Sequence, residues 1–166
     1  MSIEIVELYG CPGSGKSTLA AEIFVLFKKS GIVCDLISEK AKKFVWSNKK
    51  ITLLDQINFG MYQINKENKL LSAKNPPAVI VTDSPVWLNA FYMNYYFNID
   101  VHSDIIKATS NKHNEVRTRL FLCKNGKFSY NKSERFESEK EALKIEKELK
   151  IYLDKHKVKI NREIEI

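Results

Sequence analysis

Cysteine, arginine and long apolar runs are scarce in this sequence, and the scarcity of cysteine and of apolar runs excludes several classes of protein. The three cysteines, Cys11, Cys34 and Cys123, are odd in number and lack the CxxC spacing of zinc or redox sites. No run approaches the length that spans a bilayer, and the N-terminus lacks the basic and apolar regions of a signal peptide. We therefore expect a protein with reduced thiols, in the cytoplasm and without membrane contact.

Only four of the 27 basic residues are arginine, and the lysines are dispersed along the chain. The net charge of +7 is compatible with nucleic-acid binding, but no basic stripe interleaved with aromatic residues is visible. A nucleic-acid partner is therefore not expected, although the charge does not exclude it. With 166 residues, 44% of them hydrophobic, the chain is predicted to form one domain over residues 1–166.

Short β-rich runs alternate with segments of helical period. Strands are predicted at 3–9, 32–37, 78–82, 116–123 and 158–160. Helices are predicted at 17–29, in two pieces over 40–74 with a break at 48–52, at 86–97, and after a capping-box pattern at Ser138-Glu139-Lys140-Glu141. The alternation predicts an α/β protein of three α/β/α layers around a mostly parallel sheet of about five strands. Ligands of such sheets bind at the carboxyl ends of the strands.

An eight-residue motif between the first strand and the first helix carries the strongest functional signal. Gly10-Cys11-Pro12-Gly13-Ser14-Gly15-Lys16-Ser17 matches G-x-x-x-x-G-K-[ST] in full. The glycines let backbone N–H groups approach phosphate oxygens, and the helix N-terminus adds positive potential. We predict a P-loop for ATP or GTP in which Lys16 reaches the β and γ phosphates and Ser17 ligates Mg²⁺. The predicted nucleotide-binding residues are Gly10, Pro12, Gly13, Ser14, Gly15, Lys16, Ser17 and Thr18.

Two carboxylates follow neighbouring predicted strands. Asp83 comes after the third strand, where P-loop proteins commonly place a carboxylate for Mg²⁺, although an Asp before Ser-Pro also starts turns. Glu39 follows the second strand, and could take the proton of an acceptor hydroxyl or be an ordinary first-turn glutamate. Both should emerge at the same rim of the sheet as the phosphate loop.

Three of the four arginines lie at 117–135, around a polar segment predicted to be a mobile lid at about 124–136. Planar bidentate phosphate binding would explain arginine in a chain that otherwise uses lysine. Arg135 is the candidate to close over the transferring phosphate, with Lys132 as support. For Arg117 and Arg119, a solvated strand face is an equal alternative.

The middle of the chain is rich in aromatic residues, most of which we expect in the core, although some could stack on a base or pyridine ring. Gln56 and Gln63 could read a base edge, but a solvent-facing role is the simpler expectation. The three histidines make no metal or triad pattern. The aromatic residues are Trp46, Phe59, Tyr62, Trp87, Phe91, Tyr92, Tyr95 and Tyr96.

The whole chain resembles small P-loop ATPase-like proteins of bacteriophages and bacteria, which are related to the nicotinamide riboside kinase domain and, more distantly, to deoxynucleoside kinases. Four blocks carry the resemblance: the phosphate loop with Thr18-Leu19-Ala20, Ser38-Glu39-Lys40-Ala41-Lys42-Lys43-Phe44-Val45-Trp46, Thr82-Asp83-Ser84-Pro85-Val86-Trp87-Leu88, and 130–142 with Arg135. The last block departs from the family pattern at Lys132, Glu134 and Glu137, where proline, glycine and glutamine are usual.

The resemblance implies that Glu39 contacts the acceptor hydroxyl and that the nucleotide is ATP, since no Asn-Lys-x-Asp guanine-reading motif occurs. It also implies a phage-encoded protein of the host cytoplasm. Our leading hypothesis is a kinase that transfers the γ-phosphoryl of Mg-ATP to a small-molecule acceptor, namely a nucleoside, nucleotide or nicotinamide riboside. Lys16, Glu39, Asp83 and Arg135 would be its catalytic residues.

Two other hypotheses stay open: an ATPase switch that couples hydrolysis to a protein or DNA partner, and a nucleotide-binding module without catalysis. Intact Lys16, Ser17 and Asp83 argue against the module. The sequence determines neither the acceptor nor the oligomeric state.

Overall fold

The computed structural model describes residues 2–41, 44, 47, 49–102, 104–105, 115–123 and 136–165. Strands and helices alternate along this part of the chain. Their bounds are β1 Ile3–Gly10, α1 Lys16–Lys29, β2 Cys34–Ile37, α2 Leu53–Leu71, β3 Val79–Thr82, α3 Val86–Phe97, β4 Glu115–Cys123, α4 Glu139–Lys155 and β5 Arg162–Glu165. The predicted strands at 3–9 and 116–123 and the predicted helices at 17–29 and 86–97 agree with these bounds to within a residue.

The five strands form a parallel sheet in the order β2-β3-β1-β4-β5. Side chains alternate between the two faces of each strand, so β1 supplies both halves of the core. Val6 and Leu8 pack with α1 on one face, whereas Ile5 and Tyr9 face the side that carries α2, α3 and α4. Three α/β/α layers therefore surround a parallel sheet, as the sequence predicted.

Local capping chemistry sets where two of the helices begin. Thr52 and Ser138 each accept a hydrogen bond from the backbone N–H three residues later, and the carboxylate of that third residue accepts the cap residue's N–H. The capping box predicted at Ser138 is confirmed. Thr52 ends the predicted break at 48–52, whereas half of the first predicted helix of 40–74, at 42–43 and 45–46, lies outside the described residues.

The last strand lies at Arg162–Glu165, so the strand predicted at 158–160 is wrong. After α4 ends, Lys157 adopts a left-handed conformation with φ 56° and the Val158 N–H returns to the Leu153 carbonyl. Val158 is buried because it closes this helix end against the core, not because it belongs to a strand. Pairing with β4 begins only after the Asn161 N–H reaches the Arg119 carbonyl.

Two histidines pack together where α4 ends. The rings of His102 and His156 lie 4.4 Å apart between centroids, and Trp87 and Tyr152 flank them. Burial and the neighbouring His102 lower the pKa of His156. His156 is therefore kept neutral in the folded protein over part of the acidic range.

The described segments contain no helix that is both long and apolar enough to cross a bilayer. All three cysteines are free thiols, and Cys11 and Cys34 are buried.

Candidate functional site

The phosphate-loop motif lies between the end of β1 and the start of α1, as the sequence predicted. Gly13 and Gly15 have φ of 79° and 84°, a left-handed conformation that glycine adopts without steric cost. These turns bring the loop to the N-terminus of α1, where backbone N–H groups lack partners within the helix. The result is a ready-made anion site at the carboxyl edge of the sheet.

Gly10 is a position where only glycine fits. Its φ is 145°, and a Cβ atom there would lie 2.5 Å from the Ser14 hydroxyl oxygen and 2.7 Å from the Leu122 carbonyl oxygen. The loop therefore packs directly against the end of β4, which fixes its position relative to the sheet.

Lys16 and Ser14 show how the loop accommodates an anion. Lys16 Nζ donates hydrogen bonds of 2.9 Å to the carbonyl oxygens of Gly10 and Cys11. Ser14 Oγ is buried and has no hydrogen-bond partner within the described part of the chain. A buried hydroxyl of this kind is costly to leave unsatisfied, and a phosphate oxygen beside the loop would accept its hydrogen bond. The loop residues therefore fit a phosphate.

Cys11, inside the motif, is not a nucleophile. Burial raises the pKa of its thiol to about 12, and its Sγ lies 3.6 Å from Glu146 Oε2 on α4. The thiol packs the loop against α4 and remains protonated at neutral pH.

The backbone of Glu39 lies against the Asp83 carboxylate at the predicted rim of the sheet. Asp83 is 3% exposed, and its Oδ1 accepts the backbone N–H of Glu39 at 2.8 Å. Ser17 and Asp83 offer a hydroxyl and a carboxylate, which are oxygen ligands of the kind that Mg²⁺ prefers. Among the described residues no three His, Cys, Asp or Glu side chains form a metal cluster. A Mg²⁺ ion here would therefore complete its coordination with water and phosphate oxygens, as Mg²⁺ usually does.

A cavity of about 790 Å³ joins the phosphate loop to the rim carboxylate Glu39 and to an aromatic wall. This volume lies within the range of pockets for small-molecule ligands. Its lining includes loop residues 12–18, Glu39, Gln56 and Gln63, Phe59 and Tyr62 from α2, Ser84, Asn89 and the α3 tyrosines, and Phe136 and Glu137. The predicted loop residues Pro12, Gly13, Ser14, Gly15, Lys16, Ser17 and Thr18 all line it, whereas Gly10 and Asp83 are not among the lining residues.

Gln56 and Gln63 are buried, so the solvent-facing role expected for them is wrong. Gln56 Nε2 donates to Asn89 Oδ1 at 3.2 Å, and Gln63 Nε2 donates to Thr82 Oγ1 at 3.0 Å. The two amides bind α2 to α3 and β3 and line the cavity at the same time. A helical spacing of seven residues places both on the inner face of α2.

Carboxylates surround the tyrosines of the cavity. Tyr96 donates a 2.6 Å hydrogen bond from its hydroxyl to Glu137 Oε1, and burial together with this bond raises the pKa of Tyr96. Burial raises the pKa of Tyr92 well above its usual range, and the charges of Glu39 and Glu137 raise it further. Glu39 and Glu137 thus place negative charge near the Tyr92 hydroxyl.

Sequence reasoning did not single out Glu137 or Asn89. Glu137 was noted only as a departure from the family pattern, yet it joins the residues just before α4 to α3. Asn89 donates to Ser84 and Pro85 and accepts from Gln56, which connects three sides of the cavity. Asn89 lies in the first turns of a helix that follows the rim residue Asp83, and this position is the sequence signal that could have identified it.

Arg117 and Arg119 have neither of the two roles considered for them. Arg117 Nη1 binds Glu7 Oε1 at 2.6 Å and its Nη2 binds Glu67 Oε1 at 2.5 Å, while Arg119 Nε binds Glu7 Oε2 at 2.7 Å. Their side chains are only 13% and 21% exposed. These arginines thus form a buried ionic cluster between the sheet and α2, because β4 places alternate residues on that face.

Some predicted features lie outside the described residues. They are Arg135, Lys132 and the rest of the predicted lid up to residue 135, together with Trp46 and His113. Phe136 and Glu137 follow that segment and line the cavity.

A parallel sheet with a glycine-rich loop between its central strand and the following helix defines a P-loop nucleotide-binding fold. The family model described as "AAA domain" matches residues 5–163, and the chain therefore belongs to this family. No curated protein matches the sequence.

Two solved structures of a deoxyadenosine kinase from M. mycoides are similar to this chain, one with the products dCMP and a flexible dCDP bound and the other with dATP bound. In both comparisons the sequence identity is 17%, the TM-score is 0.55, and the match covers 98% of this chain. It covers 89% of the first kinase chain and 90% of the second. At this identity the similarity shows the fold alone.

Proposed function

We propose that this protein is an ATP-dependent kinase that phosphorylates a hydroxyl of a nucleoside-like small molecule. The observation that carries the proposal is the continuous cavity that begins at the phosphate loop and passes Glu39 to reach buried amides and aromatic rings. A phosphoryl donor and an acceptor with a flat ring could lie in it end to end. The similar fold of a deoxyadenosine kinase supports the same class of reaction.

In this proposal the donor half of the cavity is built from the phosphate loop. On nucleotide binding, Lys16 Nζ would release the carbonyl oxygens of Gly10 and Cys11 and donate its hydrogen bonds to phosphate oxygens instead. The loop amides and the Ser14 hydroxyl would hold the rest of the phosphate chain. Ser17 and Asp83 would hold Mg²⁺, which would neutralise the charge that develops on the phosphates.

The acceptor half places Glu39 beside the reacting hydroxyl. The hydroxyl oxygen forms a bond to the γ-phosphorus as the bond from that phosphorus to the β–γ bridging oxygen breaks, and Glu39 takes the hydroxyl proton. Arg135, in the family's lid block, would close over the transferring group. Positioning supplies most of the rate in such reactions, so a site built on strand ends suits it.

The charges of the cavity favour a nucleoside over a nucleoside monophosphate as acceptor. The Glu39 and Glu137 carboxylates place negative charge near the Tyr92 hydroxyl. This charge would repel the phosphate of a nucleoside monophosphate. Of the lysines that line the cavity, Lys40 places its Nζ 3.4 Å from the centroid of the Tyr62 ring. Its ammonium group is thus engaged in a cation–π contact with the cavity wall.

The test is ADP release from Mg-ATP across a panel of ribonucleosides, deoxynucleosides, their monophosphates and nicotinamide riboside. We expect stimulation by one nucleoside class and none by its monophosphate. The Lys16→Ala variant should lose the activity, whereas Lys29→Ala, which removes an exposed lysine from the same helix, should retain it. A panel without stimulation would refute the kinase proposal and favour an ATPase with a macromolecular partner.

A further inference from the structure

The ends of β2 and β3 place Asp83 and Glu39 side by side. The two strands are parallel neighbours, with Ile37 paired to Thr82 in the register. Each strand ends at that pair, so the residues that follow leave the sheet at the same edge. Asp83 is the next residue after β3 and Glu39 the second after β2, at a separation of 44 residues in sequence.

The hydrogen bond between them is of a strong kind. Its acceptor is a carboxylate that is 3% exposed, and its N···O distance is 2.8 Å. Hydrogen bonds to a charged acceptor contribute more than neutral ones, and water competes little for a buried group. The bond fixes the peptide of Glu39, not its side chain.

Asp83 is itself held from behind. The Ser84 N–H donates to Thr82 Oγ1 at 3.2 Å, and the same oxygen accepts from Gln63 Nε2 at 3.0 Å. The turn that carries Asp83 is thus bound to β3 and to α2. Asp83 can therefore transmit that rigidity to the segment after β2, which has left the sheet beyond the Ile37–Thr82 pair.

We infer that Asp83 is a positioning residue for Glu39, in addition to its proposed role towards Mg²⁺. One residue then serves both halves of the site: its Oδ1 fixes the backbone from which the acceptor-side glutamate projects, and its proposed Mg²⁺ role lies on the donor side. This inference rests on the proposed function for its catalytic meaning, but the hydrogen bond itself can be tested without turnover.

The experiment compares Asp83→Asn with Asp83→Ala in the ligand-free protein. Asparagine keeps a carbonyl oxygen at the Oδ1 position but loses the charge, whereas alanine loses both. We expect hydrogen exchange of the Glu39 amide, followed by NMR, to stay slow in Asp83→Asn and to accelerate about tenfold or more in Asp83→Ala. Glu39→Ala is the matched control, because it keeps the backbone N–H and should keep its protection.

Kinetics supply the second readout. Asp83→Asn should raise the Mg²⁺ requirement with little change in the KM for the acceptor, whereas Asp83→Ala should also raise that KM by about tenfold. Amide exchange of α1 and β1 residues checks that both variants remain folded.

Unchanged exchange of the Glu39 amide in a folded Asp83→Ala variant would overturn the inference, whatever the acceptor panel shows. Accelerated exchange with no phosphoryl transfer to any acceptor would instead refute the proposed function and leave the positioning role standing. Accelerated exchange with an unchanged acceptor KM would show that Asp83 fixes the peptide without positioning the glutamate for the acceptor, and would also overturn the inference.

Discussion

Replacing Arg117 by methionine should destabilise the protein strongly, because it leaves buried carboxylates without their partner. The Arg117 guanidinium contacts Glu7, Glu67 and Glu115 at 2.6, 2.5 and 3.7 Å, and the side chains of these acids are 1%, 4% and 3% exposed. Burial acts to lower the pKa of Arg117, but the charges of Glu7 and Glu67 outweigh it and raise the pKa. Arg117 is therefore charged at any pH at which the protein folds.

The expected loss follows from the cost of an unpaired buried charge. Removing one partner of a buried ion pair typically costs about 3–5 kcal/mol, against about 0–1 kcal/mol for an exposed pair. In this variant Arg119 still pairs with Glu7, so Glu67 is the carboxylate that mainly loses its positively charged partner. We therefore expect the free energy of unfolding, measured by urea denaturation at pH 7, to fall by about 3 kcal/mol or more.

The pH dependence of this loss gives a second check. Burial raises the pKa of Glu67 and Arg117 lowers it again, so without Arg117 the folded-state pKa rises further above the unfolded value of about 4.5. A carboxyl with a raised pKa in the folded state contributes stability that is present below pH 4.5 and lost as pH rises through the folded pKa. The cost of Arg117→Met should accordingly be smaller near pH 4.5 than at pH 7.

Two variants separate this explanation from a general packing defect. Glu67→Gln in the Arg117→Met background should recover part of the loss, since it removes the stranded charge. Arg162→Ala, at an exposed position of β5, should change stability by less than about 0.5 kcal/mol. A loss below about 1 kcal/mol in Arg117→Met would refute the reasoning, because the cluster would then behave as an exposed one.

Three further predictions concern the loop, the histidine pair and the lid. Gly10→Ala should abolish binding of a fluorescent ATP analogue, because its Cβ would lie 2.5 Å from a side-chain oxygen. In Gly31→Ala no atom lies within 4 Å of the new Cβ, so this variant should bind normally in the same assay, although the φ of 75° should cost it some stability. Because burial lowers the folded-state pKa of His156, stability should be full above the unfolded value of about 6.5 and fall as pH drops below it; His156→Phe should flatten that slope in urea titrations. Arg135→Ala should lower turnover by about two to three powers of ten with ATP binding nearly intact, and unchanged turnover would remove Arg135 from the mechanism.

Local patterns were sufficient to predict most of the elements. The phosphate loop, the helix at 86–97 and the capping box at Ser138 depend on residues within one or two turns of each other, so the sequence predicts them directly. The strand predicted at 158–160 was wrong because its apolar residues belong to the closure of a helix end. An alternation of three residues cannot distinguish these two uses of a buried valine.

The sequence by itself determined the phosphate-binding loop and the succession of strands and helices along the chain, because both depend on neighbouring residues. Only the tertiary structure decided which distant side chains meet. Glu39 meets Asp83 across 44 residues, and Arg117 meets Glu7 across 110. Those contacts depend on strand order and register, which the packing of the whole sheet fixes. Because of the same packing, Arg117 and Arg119 pair with buried glutamates and not with phosphate. It also places Gln56 and Gln63 in the wall of a cavity and not on the surface.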